Sequence, residues 1–250
     1  MDNDLKAMLY DAQHTSYQED LPYWRTLASR SPGPILELGC GTGRVYIPLL
    51  QGGYEMWGLD NDPAMLAILR TRLENQRLPA TNIFLADMSD FQISGWFSLM
   101  ISPCNTFSTL TQEQRISALN CILAHLQPGG CFAASLPNPV VLAEIEDQEQ
   151  AELESIFIHP LTGNPVQVSS TFRRRQMRFQ LDWHYDHMLP DGQVERHSLR
   201  VEHEICSVET YLYEFQTAGL QIQKLLGDFA GTPWNADSPE LILEAVKPIR

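Results

Sequence analysis

The chain has 250 residues, a formal net charge of −14 and an apolar content of 44%. This length suits one large domain or a core with an insertion, and the apolar share is ample for a buried core. The negative charge argues against DNA or RNA as the substrate, because phosphate binding needs a basic face. Nucleic acid is therefore not expected among the partners.

The spacing of the cysteines and the length of the apolar runs indicate the cellular compartment and whether a metal is bound. The five cysteines show neither the paired spacing of a disulfide framework nor, with histidine, a zinc-ligand pattern. No apolar run is long enough to span a bilayer, and the first residues lack the basic and apolar regions of a signal peptide. We expect a cytoplasmic protein with no membrane partner and no bound metal.

The first predicted element is an aromatic, amphipathic segment over residues 10–27. It includes Tyr10, Tyr17 and Trp24, and the pattern predicts one or two helices. An alternative role for these rings is to pack the helices onto a core, and we favour that role for Trp24.

A short apolar strand then runs into a glycine-rich turn. Residues 35–43 read Ile-Leu-Glu-Leu-Gly-Cys-Gly-Thr-Gly, with Gly39, Gly41 and Gly43 in the turn. Because glycine tolerates positive φ and has no side chain, a ligand can lie against this backbone. Alone, the turn also fits an ordinary strand-to-helix connection. The dinucleotide-binding fingerprint Gly-x-Gly-x-x-Gly would require glycine at position 44, where this chain has arginine. A dinucleotide site is therefore the weaker match.

The next two predicted strands each end in an acidic residue. Residues 55–60 end at Asp60, which lies 19 positions after Gly41, and residues 82–87 end at Asp87. A carboxylate at the end of the second strand of an open α/β sheet can accept hydrogen bonds from ribose hydroxyls. Asp60 alone also fits a solvated turn residue, but its distance from the glycine turn favours the ligand role.

The pattern of strands and helices continues beyond these acids. A fourth strand is predicted at 97–102, a helix at 111–126, a break with the sequence Gln-Pro-Gly-Gly at 127–130 and a fifth strand at 131–136. Open α/β sheets bind ligands at the carboxyl ends of their strands, so the exits of these strands are the expected site.

Residues 31–138 resemble the class I S-adenosylmethionine-dependent methyltransferases. The resemblance rests on the glycine turn, the acids that end the second and third strands, and the Leu-x-Pro-Gly-Gly break. It implies a doubly wound, Rossmann-like α/β fold with a seven-stranded, mostly parallel sheet, and S-adenosyl-L-methionine as the cofactor. It returns near the C-terminus, where a helix at 209–218 and strands at 220–226 and 240–247 suit the reversed-strand end of that fold.

Several cofactor contacts are implied by this resemblance. The sulfonium and ammonium groups of S-adenosylmethionine are cations, so a carboxylate at Glu37 attracts them. The family places the adenine amino group at the acid that ends the third strand, with the next residue beside the base, and closes N-terminal helices over the cofactor. The predicted cofactor-binding residues are Tyr10, Tyr17, Glu37, Gly39, Cys40, Gly41, Gly43, Asp60, Asn61, Met65, Asp87, Met88, Ser102 and Pro103.

The segment before the C-terminal helix reads as an insertion. Residues 139–154 predict an acidic, exposed helix. Alternating polar and apolar residues over 156–206, with a hairpin turn at Asp191 and Gly192, predict antiparallel strands. The predicted division is a cofactor-binding core with an N-terminal helical lid at 1–138 and 207–250, and a helix plus antiparallel β insertion at 139–206 that serves as a substrate cap or dimer contact.

Candidates for contact with the methyl acceptor follow the fourth strand and lie in the insertion. They are Asn105, His184, Tyr185 and His187. The segment from Ser102 to Asn105 differs from the Asn-Pro-Pro-aromatic motif of amino methyltransferases, because its third residue is cysteine and its fourth is not aromatic. The chemistry of that motif is therefore not carried over.

The expected function is direct in-line transfer of a methyl group from S-adenosylmethionine to nitrogen or oxygen of a small-molecule acceptor. A protein or RNA methyltransferase and a non-catalytic S-adenosylmethionine-binding domain are the alternatives. We expect a monomer or a homodimer.

Overall fold

The computed structural model describes residues 3–249, which contain eleven strands in two sheets. Residues 1, 2 and 250 of the predicted core lie outside the described residues. The strands are β1 (Ile35–Leu38), β2 (Met56–Asp60), β3 (Ile83–Leu85), β4 (Phe97–Ser102), β5 (Leu126–Pro137), β6 (Gln148–Ile158), β7 (Pro165–Arg175), β8 (Arg178–Met188), β9 (Val194–Glu204), β10 (Gln221–Leu226) and β11 (Glu240–Val246).

Seven strands form the larger sheet in the order β10-β11-β5-β4-β1-β2-β3. The pairs from β5 to β3 are parallel, and β11 runs antiparallel to both of its neighbours. This is the predicted doubly wound, Rossmann-like α/β fold. The exits of β1, β2 and β4 share one edge, and β11 begins there because Glu240 pairs with Pro137 at the end of β5.

The helices of residues 3–249 are α1 (Asn3–His14), α2 (Leu21–Ser29), α3 (Tyr46–Gln51), α4 (Pro63–Asn75), α5 (Gln112–His125), α6 (Pro139–Glu144) and α7 (Val208–Ala218). They cover both faces of the larger sheet: Leu36 packs in a core with α5 and α7, and Ile35 in a core with α3 and α4. Glu37 is thereby a buried carboxylate in an otherwise apolar strand. In this range no helix has the length and apolarity needed to cross a membrane.

The smaller sheet is antiparallel throughout, in the order β6-β7-β8-β9. The β8–β9 hairpin turns at Gly192, whose φ of 84° suits glycine and whose N–H donates to the Leu189 carbonyl at 3.0 Å. Leu9 of α1 packs in a cluster with Val166 and Tyr185. The N-terminal helix therefore lies against this sheet.

Two predicted elements differ from the structure. Residues 139–154 are not one helix, because α6 ends at Glu144 and β6 begins at Gln148. Backbone pairing with β7 outweighs the helical propensity of this acidic segment, whose exposed charges suit an edge strand. The strand β5 begins at Leu126 rather than at Cys131, since Gly129 and Gly130 hydrogen-bond with the backbone that follows β11.

Candidate active site

The turn after β1 presents bare backbone at one glycine. The N–H groups of Gly39 and Cys40 both donate to the Leu59 carbonyl at 2.9 Å, which ties the turn to β2. The Gly41 N–H donates to Asp60 Oδ2 at 2.8 Å. A Cβ built on Gly41 meets no heavy atom within 4 Å. The backbone at Gly41 is therefore accessible to a ligand.

The other two glycines of the turn are required by packing. A Cβ on Gly39 would lie 2.6 Å from Thr106 Cγ2, and one on Gly43 would lie 2.4 Å from Leu69 Cδ1. The Cys40 side chain is buried and packs towards β2. The Cys40 thiol therefore does not face a ligand in the turn, and the N–H and carbonyl of Cys40 are bonded to Leu59 and Gly43.

Three acids stand at the exits of β1, β2 and β3. Glu37 is 3% exposed, burial raises its pKa, and its Oε2 has no hydrogen-bond partner among residues 3–249. Asp60 also accepts from the Asp62 N–H at 2.9 Å, and burial raises its pKa. Asp87 Oδ1 accepts from the N–H and hydroxyl of Ser89 at 2.8 and 2.7 Å. Within the described chain, no group of three or more His, Cys, Asp or Glu is placed to hold a metal ion.

The remaining predicted cofactor residues surround these exits. Asn61 is exposed directly after β2, and Met65 is half-buried in the first turn of α4. Met88 is buried beside the glycine turn. Ser102 is fully buried with its Oγ lacking a hydrogen-bond partner in residues 3–249, and Pro103 is buried after it.

A cavity of about 480 Å³ lies beside the glycine turn. Residues of α1, of β8 and β9, of the ends of β4 and β5 and of the start of β11 line it. Thr106 connects the two parts of the site, because it lies against Gly39 and also lines the cavity. The lining side chains include those of Tyr10, Tyr17, Asn105, Trp183, His203 and Glu240.

An ion pair closes one side of the cavity. Arg44 donates to both carboxylate oxygens of Asp20 at 2.6 Å, and Trp24 Nε1 donates to Asp20 Oδ2 at 2.8 Å. The guanidinium lies 5.0 Å from the centre of the Tyr17 ring and donates to Cys104 Sγ at 2.7 Å. This bidentate pair holds the connection between α1 and α2 onto the turn after β1.

The backbone is strained where β4 enters the cavity. Cys104 and Asn105 have φ of 58° and 60°, a left-handed conformation that is costly for residues other than glycine and is concentrated at functional sites. Asn105 lines the cavity, and its Oδ1 is buried without a hydrogen-bond partner in the described chain. The structure therefore places this predicted residue at the cavity.

The strand β8 reaches the cavity with a residue other than those predicted. Trp183 lines the cavity and packs edge-on against Tyr10 and His14, with ring centres 6.2 and 5.1 Å apart. Tyr185 is fully buried, and its hydroxyl donates to Gln13 Oε1 at 2.6 Å. The tyrosine thus anchors the sheet to α1 and does not line the cavity.

The two predicted histidines of β8 also lie elsewhere. His184 is within hydrogen-bond distance of the hydroxyls of Thr171 and Ser198, and His187 stacks on His159 at 4.3 Å. Successive residues on one face of a strand are about 6.6 Å apart. Tyr185 and His187 therefore lie progressively farther along β8 from Trp183. In this structure none of His184, Tyr185 and His187 lines the cavity.

Two further residues that line the cavity are His203 and Glu240. His203 of β9 lies 2.8 Å from Ser108 Oγ through Nδ1, and burial lowers its pKa to about 4. Glu240 reaches the site because β11 is reversed. The alternating polar and apolar residues of β9 place His203 on one face of the smaller sheet. The position of Glu240 beside the cavity follows only from the pairing of β11 with β5.

Comparisons with known proteins agree with this geometry. Residues 35–130 match the family described as a methyltransferase domain. Over this range the chain is therefore similar to methyltransferase domains.

Proteins similar to this chain align over nearly its whole length. YqeM of Bacillus subtilis is 24% identical over 253 residues, covering 96% of this chain and 95% of that protein. An S-adenosylmethionine-dependent methyltransferase from Clostridium acetobutylicum superposes with a TM-score of 0.80 at 13% identity, covering 97% and 98%. An S-adenosylmethionine-bound amino pentose methyltransferase from Micromonospora echinaspora gives a TM-score of 0.73 at 20% identity, covering 96% of each. These structures share the fold of this chain.

Proposed function

We propose that the chain transfers a methyl group to nitrogen or oxygen of a small-molecule acceptor bound in the cavity beside the glycine turn. When bound, S-adenosylmethionine supplies a methyl carbon to which the acceptor lone pair bonds, while the methyl–sulfur electron pair stays on sulfur. The chain's own residues hold, orient and enclose the reactants, and such orientation accounts for much of the rate of this kind of reaction.

The strand exits fit the cofactor in shape and charge. Gly41 offers a backbone with open space above it, and Glu37 offers a buried carboxylate oxygen with no other partner in residues 3–249. Asp60 is oriented by its two backbone N–H bonds, and each carboxylate oxygen keeps a lone pair for a ribose hydroxyl. Asp87 bonds Ser89 through Oδ1, so its Oδ2 is the candidate acceptor for the adenine amino group.

The observation that carries the proposal is the cavity next to these exits. Its volume of about 480 Å³ is in the range typical of small-molecule sites, about 300–1,000 Å³. The cavity is closed by α1 and by β8 and β9, whose Trp183 contacts Tyr10 and His14. We infer that the four-stranded insertion is a substrate cap. A dimer contact is the alternative role of the insertion. Analytical ultracentrifugation tests it by showing whether the chain is a monomer or a homodimer, and a monomer would exclude the dimer contact.

A transfer assay tests the proposed function. The chain and methyl-labelled S-adenosylmethionine are incubated with a metabolite library that contains amines and alcohols, and labelled product and S-adenosylhomocysteine are quantified. We expect transfer to at least one small amine or alcohol. Transfer only to peptide or RNA would instead support a macromolecular substrate. Tight binding of S-adenosylhomocysteine with no transfer to any member would support a non-catalytic binding domain.

A further inference from the structure

Glu240 presents a carboxylate to the cavity without a partner to neutralise it. It is the first residue of β11, beside Pro137 at the end of β5. Its Oε2 is buried, and no residue among 3–249 hydrogen-bonds to it. An unsatisfied buried carboxylate costs free energy, so this position favours a ligand that supplies hydrogen-bond donors.

The other charged side chains of the cavity do not offset Glu240. Asp20 and Arg44 are paired with each other at 2.6 Å. Burial lowers the pKa of both His14 and His203, so these rings are neutral near pH 7. The ionised cavity therefore carries one uncompensated negative charge, which disfavours an anionic acceptor and favours a cationic one.

Two more residues that line the same cavity carry a buried acceptor atom. Asn105 Oδ1 and Ser135 Oγ are both without a hydrogen-bond partner in the described chain. Aromatic rings of Tyr10, Tyr17 and Trp183 form other parts of the wall. Such rings attract cations through their faces, and a protonated amine has N–H donors for the acceptors.

We propose that the methyl acceptor is a small-molecule amine whose nitrogen donates hydrogen bonds to the Glu240 carboxylate, an inference that rests on the proposed methyl transfer. Asn105 and Ser135 are the further acceptors for its N–H groups. An ammonium that gives one proton to Glu240 becomes a neutral amine, and its freed lone pair is the nucleophile. Burial, and next the charge of Asp20, raise the pKa of Glu240 to about 7, which suits it to take this proton.

Binding of matched amines and alcohols tests this inference without relying on transfer. The probes are cyclohexylamine and cyclohexanol, benzylamine and benzyl alcohol, and glucosamine and glucose, titrated calorimetrically into the complex with S-adenosylhomocysteine at pH 8. We expect at least one amine to bind about tenfold or more tightly than its alcohol. We expect Glu240→Gln to remove this preference, because the amide is isosteric but uncharged.

Two further variants complete the test. Asp237→Asn removes an exposed carboxylate three residues earlier and is expected to keep the wild-type preference. Glu240→Asp keeps the charge and is expected to retain part of it, and it replaces Glu240→Gln if that variant does not fold. Binding of S-adenosylhomocysteine checks the cofactor site independently of the acceptor. No amine preferred by the wild type, or a preference that survives in Glu240→Gln, would overturn the inference.

Discussion

The three glycines of the turn after β1 have different surroundings. Gly39 and Gly43 are enforced by neighbouring side chains, whereas Gly41 faces open space. The φ of Gly41 is 50°, which is unfavourable for residues with a side chain. Apart from this backbone conformation, nothing in the structure excludes a methyl group at this position. The left-handed backbone accounts for glycine at position 41, and the open space beside it leaves room for a ligand against the backbone.

Gly41→Ala is expected to separate binding from folding. The left-handed backbone costs alanine about 1–2 kcal/mol of stability, and the new methyl group occupies the space of the cofactor. We expect a fall of about tenfold or more in S-adenosylhomocysteine affinity by calorimetry. Gly192→Ala is the matched control, since Gly192 has φ of 84° and equally open surroundings. Equal affinity in both variants would contradict the role of Gly41.

Asp60→Asn is expected to weaken S-adenosylhomocysteine binding by about tenfold, because a hydrogen bond to a charged group contributes about 1.5–3 kcal/mol. The control is Asp62→Asn, two residues later. Asp62 caps α4 by accepting from the Ala64 N–H at 2.8 Å, and asparagine caps equally well. Titration calorimetry should show the loss in the first variant alone; unchanged affinity there would refute the assignment to the ribose.

His203 makes stability depend on pH. Its folded pKa of about 4 lies below the usual value of about 6.5, so between these values the unfolded chain binds a proton that the folded chain does not. Its contribution is intact above pH 6.5 and is lost as pH falls towards 4. From pH 7 to pH 5 we expect it to remove about 2 kcal/mol. Urea denaturation of His203→Gln should show a correspondingly smaller loss, and an equal loss would rule out this role.

The elements behind the site are held by a buried ion pair between α5 and α7. Arg115 is fully buried and donates to both carboxylate oxygens of Glu214 at 2.8 Å. It also donates to the Leu110 carbonyl at 3.0 Å, at the end of the segment that follows β4. The pair therefore connects the packing of two helices to the loop that carries Asn105.

Glu214→Gln is expected to destabilise the fold by about 1.5–3 kcal/mol, because the buried Arg115 guanidinium loses its bidentate carboxylate partner and keeps only Glu204, whose Oε2 lies 3.6 Å from Nη1. Glu202→Gln breaks the exposed pair with Arg178 and should cost less than about 1 kcal/mol. Denaturant unfolding measures both. Similar losses in the two variants would show that burial of the Arg115 pair does not decide its contribution.

At the scale of the whole molecule, features encoded within short segments were predictable from the sequence. The glycine turn, Asp60 at the end of β2 and Asp87 just after β3 need only local patterns, and the resemblance that they carry extends to the order of the sheet. Residues that meet through long-range pairing were not predictable. Glu240 joins the site through the register of β11 with β5, and the cavity end of β8 is set by the docking of α1.

The acidic segment after α6 shows the same limit. Its composition suits an exposed helix as well as an edge strand, and only the partner strand β7 decides between them. Charge patterns therefore predicted its exposure, while its secondary structure depended on tertiary pairing.

A crystal structure of the chain with S-adenosylhomocysteine tests the proposed cofactor site most directly. We expect the ligand against the Gly41 backbone, with its ribose hydroxyls hydrogen-bonded to Asp60 and its sulfur directed towards the cavity that Asn105 lines. Electron density for the ligand elsewhere, with the exits of β1 and β2 empty, would contradict it.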